Sequence, residues 1–341
     1  MKLTDFDYRL PPGMVAQYPS QKRTHARMLV LNRADGSITD SHVYQLSDFL
    51  SPAYFLVLND SKVFKARLFT TRSTGGRVEV FLVRRNGPGR WLALLRPSGR
   101  IKCGEQLCLD SKNHLMVMDK PGQIEREVAF ENGKKEEFII HQYGQVPLPP
   151  YIKRYPDKND AVRYQTVYAG REGSVAAPTA GLHFDRRMLT RLAEQQIDHE
   201  MITLHVGPGT FKPVTAERIE RHVVDPEYAI VTPKAARAVN RRKQKGQKLL
   251  AVGTTSVRVT EFAADDGGLV SPHEGPVDLF IYPPYRYKAV DAMLTNFHLP
   301  RTSLLMLVAA FCGRDLLFTA YRHAIERQYR FYSYGDCMLI L

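Results

Sequence analysis

From Ala66 to His141 the sequence breaks into short apolar runs separated by turn-forming residues, and this segment most narrows the possible folds. Residues 78–83 follow Gly75 and Gly76, and residues 91–95 follow Gly87, Pro88 and Gly89. Residues 115–118 end at Pro121 and Gly122. Residues 126–130 end at Asn132 and Gly133, a pair suited to the positive φ angles of hairpin turns. Residues 137–140 complete the series. Spacing this close, without a convincing helix, predicts a small all-β barrel or sandwich. The Pro-rich stretch 146–151 reads as its exit.

After this module helices alternate with strands, and the first 65 residues also contain strands. Residues 28–31, 54–58, 248–252 and 337–341 are strand-like. Asp185 is placed to cap a helix carrying Met188, Leu189 and Leu192. Thr232 and Pro233 form a cap followed by proline at the first helical position, and Gly246 closes that helix. Further helices are expected after Gly253, at 303–312 and at 315–327. The economical arrangement is one mixed α/β domain built from residues 1–65 plus 151–341, with a β-barrel-like domain, 66–150, inserted into it.

Composition excludes several classes. A chain of 341 residues, 44% hydrophobic and 24% charged, is not wholly disordered. The longest apolar run, 304–312, falls short of the roughly 20 residues a bilayer helix needs. Residues 1–7 lack the apolar region of a signal peptide, so a cytoplasmic protein without membrane contact is expected. Cys103, Cys108, Cys312 and Cys337 form no C-x-x-C pair, which speaks against a disulfide framework or a structural zinc site. The net charge of +13 fits a polyanionic partner, although many basic proteins bind no nucleic acid.

Several small-residue segments beside strands could carry chemistry. Residues 173–184 let a ligand approach the backbone, and His183 supplies a group that titrates near neutrality. A tight loop with a packed histidine is the competing reading. Residues 204–211 hold His205, Gly207 and Gly209, without the third glycine and following helix of a dinucleotide fingerprint. Gly253, Thr254 and Thr255 lie between a strand and a helix, where free N–H groups favour anions; a simple helix cap is the competing reading. Asn296 and His298 precede another helix. Asp60, after Asn59, could act as a base or bind a ribose hydroxyl, or the pair could form an Asx-turn. His183, His205, His222 and His298 lack metal-site spacing, so no metal is expected. The helix starting at Pro233 bears Lys234, Arg237, Arg241, Arg242, Lys243 and Lys245 with no acid, either a phosphate-contacting surface or a solvated face.

Taken in order, these segments closely resemble the S-adenosylmethionine:tRNA ribosyltransferase-isomerase family of queuosine biosynthesis. The matching stretches are 58–60 with 66–68, 75–76, 147–152, 163–169, 174–184, 203–207, 209–211, 252–258, 280–283 and 295–300. The chain departs from the family pattern at 64–67, 222–227, 259–262 and 282–285. The resemblance implies an α/β domain plus a β-barrel domain. It also implies transfer of the ribosyl part of S-adenosylmethionine to 7-aminomethyl-7-deazaguanine at the tRNA wobble position. Isomerisation then gives epoxyqueuosine, with adenine and methionine released.

On this resemblance S-adenosylmethionine is a substrate, no prosthetic group is needed, and the partner is the anticodon arm of tRNA. A monomer is expected. The acid–base candidates are His183 first, then His298 and His205, with Asp60. Substrate contacts are expected from Asn59, Arg67, Ser174, Ala176, Pro178, Thr179, Gly181 and Phe184. Gly207, Gly209, Thr210, Gly253, Thr254, Thr255, Arg258 and Asn296 complete that set, with Thr254, Thr255 and Arg258 suited to the methionine carboxylate or an RNA phosphate. Lys234, Arg237, Arg241, Arg242 and Lys245 are the expected tRNA contacts. A divergent transferase with another acceptor and a non-catalytic tRNA-binding paralogue are the alternatives.

Overall fold

The apolar runs that flank the β-rich segment pair with one another into a nine-stranded mixed sheet. The computed structural model describes residues 1–119, 124–131, 136–211 and 213–341. Strands β1 (Arg27–Leu31), β2 (Ile38–His42) and β3 (Tyr54–Asn59) come first, followed by the short β4 (Ser61–Val63). Then come β5 (Arg67–Arg72), β6 (Arg77–Arg85), β7 (Arg90–Arg96), β8 (Gln106–Cys108), β9 (His114–Val117) and β10 (Arg126–Phe130). After them run α1 (Glu136–Tyr143), α2 (Asp160–Arg163), β11 (Arg171–Ser174), α3 (Arg186–Glu194), β12 (His199–Leu204) and β13 (Glu227–Val231). The chain finishes with α4 (Pro233–Gln244), β14 (Lys248–Val252), α5 (Thr254–Ala263), β15 (His273–Val277), β16 (Ala292–Asn296), α6 (Ser303–Cys312), α7 (Arg314–Glu326) and β17 (Cys337–Ile340).

The large sheet has the order β15-β13-β12-β3-β14-β16-β17-β1-β2, and its centre, β12-β3-β14-β16, is parallel. Continuous apolar runs suit such strands because both faces are covered. Phe55, Val57, Leu249 and Ala251 pack into one layer with Val239 of α4, Val257 of α5 and Leu305 of α6. Leu56, Leu58, Leu250 and Val252 face the other way, onto Met188 and Leu192 of α3 and onto Val43 and Leu46. The expected caps form: Asp185 accepts from the Met188 N–H, and Thr232 accepts from the Ala235 N–H.

Strands β10-β7-β6-β5-β8-β9 close into a six-stranded barrel. Alternate residues point inward, so Val78, Val80 and Leu82 meet Ala93, Leu95, Leu107, Leu115 and Val128. The expected turns at Pro121-Gly122 and Asn132-Gly133 lie outside the described residues. Residues 137–140 correct the sequence reading: they belong to helix α1, not to a strand. Ile139 and Ile140 are buried while Phe138 is exposed, and closure of the barrel by β9 on β10 leaves no edge for another strand. The chain enters and leaves the barrel at one place, because Arg67 and Gln145 exchange backbone hydrogen bonds of 3.3 and 2.8 Å.

Candidate active site

In an open α/β sheet, ligands gather at the carboxyl ends of the parallel strands. Here β3 ends at Asn59, β12 at Leu204, β14 at Val252 and β16 at Asn296, and their loops emerge on the same edge. These are the loops carrying Asp60, His205, Gly253–Thr255 and His298. The 174–184 segment joins them because β11 pairs with β4, directly after β3.

The loops enclose a pocket of about 50 Å³. Ala176, Pro178 and Thr179 line one side, and Thr210, Gly253, Thr254, Thr255, Asn296 and His298 line others. Gly253 has φ +88°, a left-handed conformation that lets α5 begin directly off β14. His298 is held by its backbone and ring: its N–H donates to the Tyr321 hydroxyl at 2.9 Å, and Nε2 lies 2.9 Å from Thr295 Oγ1. Burial lowers the His298 pKa to about 3, so its imidazole is neutral at physiological pH.

A wider cleft of about 1270 Å³ runs between the barrel and the sheet, and Val206 forms part of the wall of both cavities. His205, Gly207 and Gly209 line it from the sheet side; Arg84, Arg85 and Trp91 line it from the barrel. The His205 ring stacks near Tyr228, with 15° between planes, and its Nδ1 is buried without a partner. Burial lowers the His205 pKa, opposed by the nearby Asp60 carboxylate. Asp60 is itself positioned by Thr203, whose hydroxyl donates to Oδ1 at 2.6 Å.

Other expected contact residues make contacts within the protein. Asn59 is fully buried and staples β3 to β12: its Nδ2 donates to the Leu204 carbonyl and its Oδ1 accepts from the Leu204 N–H, both at 3.0 Å. Ser174 accepts from the Val206 N–H at 2.7 Å. Arg67 pairs with Glu79 at 3.0 Å in the barrel. Phe184 packs into the layer beneath the sheet, and the Tyr168 hydroxyl packs against Gly181. Arg258 is buried against Glu227. His183, the first acid–base candidate, is also buried; its Nε2 accepts from Asn296 Nδ2 at 3.1 Å, and burial lowers its pKa to about 4.

On α4, Arg242 pairs with Asp198 and Glu200, and Lys243 pairs with Asp291. Lys234, Arg237, Arg241 and Lys245 remain exposed. The contacts of Arg242 put the end of α4 beside the start of β12, roughly 17 Å along the strand from the site loops. Sequence reasoning missed Glu227, Tyr332 and Ser333. Glu227 sits in a segment already compared with the family, whereas Tyr332 and Ser333 carry no local signal and reach the pocket only through the turn into β17.

The sequence matches the family described as "Queuosine biosynthesis protein" over residues 3–340. It is 46% identical, over the full length of both chains, to S-adenosylmethionine:tRNA ribosyltransferase-isomerase of Moorella thermoacetica. The same-named protein of Aquifex aeolicus is 44% identical, again over the full length of both. The crystal structure of S-adenosylmethionine tRNA ribosyltransferase from Thermotoga maritima is similar with a TM-score of 0.57 and 33% identity, covering 99% of this chain and 100% of that one. A mixed α/β body with a closed barrel, loops gathered at one sheet edge, and likeness from end to end lead to one assignment: this chain belongs to the queuosine biosynthesis protein family.

Proposed function

We propose that this chain is an S-adenosylmethionine:tRNA ribosyltransferase-isomerase, acting on 7-aminomethyl-7-deazaguanine at the wobble position to give epoxyqueuosine, adenine and methionine. The observation that carries this reading is a small pocket of about 50 Å³ and a much larger cleft of about 1270 Å³ that meet at Val206. A small donor and a large acceptor suit that combination. The residue division 1–65 plus 151–341 with 66–150 inserted is part of the same reading, supported by the shared entry and exit at Arg67 and Gln145.

The chemistry needs positioning, proton transfer and exclusion of water. A sulfonium acidifies its neighbouring 5′ carbon, so a modest base suffices to form an ylide. Adenine then leaves with a proton, the aminomethyl nitrogen attacks, and methionine is the last leaving group. His205 at the cleft, Asp60 close to it, and neutral His298 at the pocket are the groups we assign to proton transfer. His183 is a positioning residue that orients Asn296. Exposed Lys234, Arg237, Arg241 and Lys245 supply phosphate contacts further along the tRNA. A cytoplasmic monomer is part of the same reading; no single helix among the described residues is long and apolar enough to cross a membrane.

The test is incubation with S-adenosylmethionine and tRNA bearing the aminomethyl-deazaguanine, following adenine release and nucleoside mass. Stoichiometric adenine and the epoxyqueuosine mass are expected. Adenine release only with another acceptor would replace this substrate assignment. No adenine from any acceptor, with tRNA bound, would leave a binding protein.

A further inference from the structure

Helix α5 starts without a side-chain cap, since its N-cap is Gly253. The first helix bond is the Val257 N–H to the Gly253 carbonyl, so the preceding amides of Thr254 and Thr255 have no acceptor within the helix. Those residues line the 50 Å³ pocket. Thr255 Oγ1 is buried there without a hydrogen-bond partner. Asn296, 2% exposed, also lines the pocket, and its Oδ1 is unpartnered.

The orientation of the Asn296 amide is determined by its surroundings. Its Nδ2 faces the Tyr332 carbonyl at 3.1 Å, the Asp336 carbonyl at 3.3 Å and His183 Nε2 at 3.1 Å. Reversing the amide would aim its oxygen at two carbonyl oxygens. The residues lining the pocket therefore bring together N–H donors without helix acceptors, an unpartnered hydroxyl and a bare amide oxygen. Among the described residues, no Lys, Arg, Asp or Glu side chain lines it.

Uncompensated donors at a helix N-terminus favour a carboxylate. An orphan buried acceptor favours a donor, best a cationic one. A phosphate would satisfy the first and leave Asn296 Oδ1 unpaired. A group carrying both charges, with no net charge, satisfies both.

We propose that this pocket is an α-amino-acid subsite. The α-carboxylate sits on the amides of Thr254 and Thr255 and on the Thr255 hydroxyl, and the α-ammonium donates to Asn296 Oδ1. Ala176, Ala177 and Ala180 leave room for the zwitterion beside the helix end. The inference rests on the functional reading above and assigns the methionine end of S-adenosylmethionine to this pocket. The ribosyl and purine parts then extend toward Val206 and the cleft. Free methionine shares the same chemistry and is the second source of such a ligand.

Calorimetric titration of the full chain distinguishes the cases, using S-adenosylmethionine, its decarboxylated form, 5′-methylthioadenosine and free methionine. The wild type should prefer S-adenosylmethionine over the decarboxylated form by at least ~10-fold. Thr255→Val, close to isosteric, should shrink that preference by weakening S-adenosylmethionine alone. Asn296→Ser should weaken the decarboxylated form, which keeps its amine, while sparing 5′-methylthioadenosine, which has none. Methionine binding that weakens in Thr255→Val would show that the subsite also holds the product. Equal affinity for the carboxylated and decarboxylated forms in the wild type, or an unchanged preference in Thr255→Val, would overturn the subsite while leaving the functional reading standing. Failure of the wild type to bind S-adenosylmethionine would overturn both.

Discussion

The guanidinium of Arg258, on α5, is locked onto the carboxylate of Glu227, on β13, and both side chains are buried. The other oxygen of that carboxylate accepts from the Gly207 N–H at 2.9 Å and from the Thr210 hydroxyl at 2.6 Å. One ion pair thus shapes the loop shared by the pocket and the cleft. Removing one partner leaves a buried charge uncompensated. Arg258→Ala should cost about 3–5 kcal/mol in denaturant unfolding and reduce turnover. The pair Arg258→Met with Glu227→Gln should cost less than the sum of the single changes. Full additivity would show that the two residues act separately.

Gly173 lies against the face of His205. A Cβ there would come within 2.8–2.9 Å of the ring atoms, and φ is +154°. Gly173→Ala should therefore displace the imidazole from the cleft. A loss in kcat of about 10²-fold is expected, within the range for a general acid or base, with the global fold retained by circular dichroism. Wild-type turnover in this variant would remove His205 from the proton-transferring groups.

Buried, neutral histidines make stability depend on pH. His183 and His298 have folded pKa values of about 4 and about 3, against 6.5 when unfolded, so the unfolded chain binds more protons across that interval. Their contribution is complete above pH 6.5 and is lost progressively below it, down to about pH 4 for His183 and about pH 3 for His298. For His183 the upper limit is about 3 kcal/mol, from 1.36 kcal/mol per pKa unit. His183→Gln should flatten the slope of unfolding free energy between pH 6.5 and 4.5. An unchanged slope would place the acid sensitivity in other groups.

The basic helix divides into free and committed cations. Charge reversal at Arg241 and Lys245 should weaken tRNA binding and shrink its salt slope by up to about two, leaving S-adenosylmethionine affinity intact. Arg242→Glu should instead lower stability, because it places a third carboxylate beside Asp198 and Glu200. A tRNA salt slope identical to wild type after the first change would mean that this face is only solvated.

Local signals were legible wherever the physics is local. The Asp185 and Thr232 caps depend on a side chain and an amide three residues away, and both formed. The run 54–58 read as a strand because both of its faces are buried. The run 137–140 misled because four residues are compatible with either period, and only closure of the barrel removes the strand option. Family likeness named loops that the fold brings to one sheet edge but could not sort their residues. Asn59, His183 and Arg258 belong to the same segments as Thr255 and His298, yet the first three brace the site while the last two line it.

By itself, then, the sequence determined the alternation of elements, the β module and the family, since these follow from spacing and from residues read in order. Which polar groups stay unpaired was decided only by tertiary structure. That depends on strand register, on the face a helix turns inward, and on partners as distant as Asn296 and Tyr332. A ligand site is made of groups that the fold buries without satisfying, and only the assembled fold shows which those are.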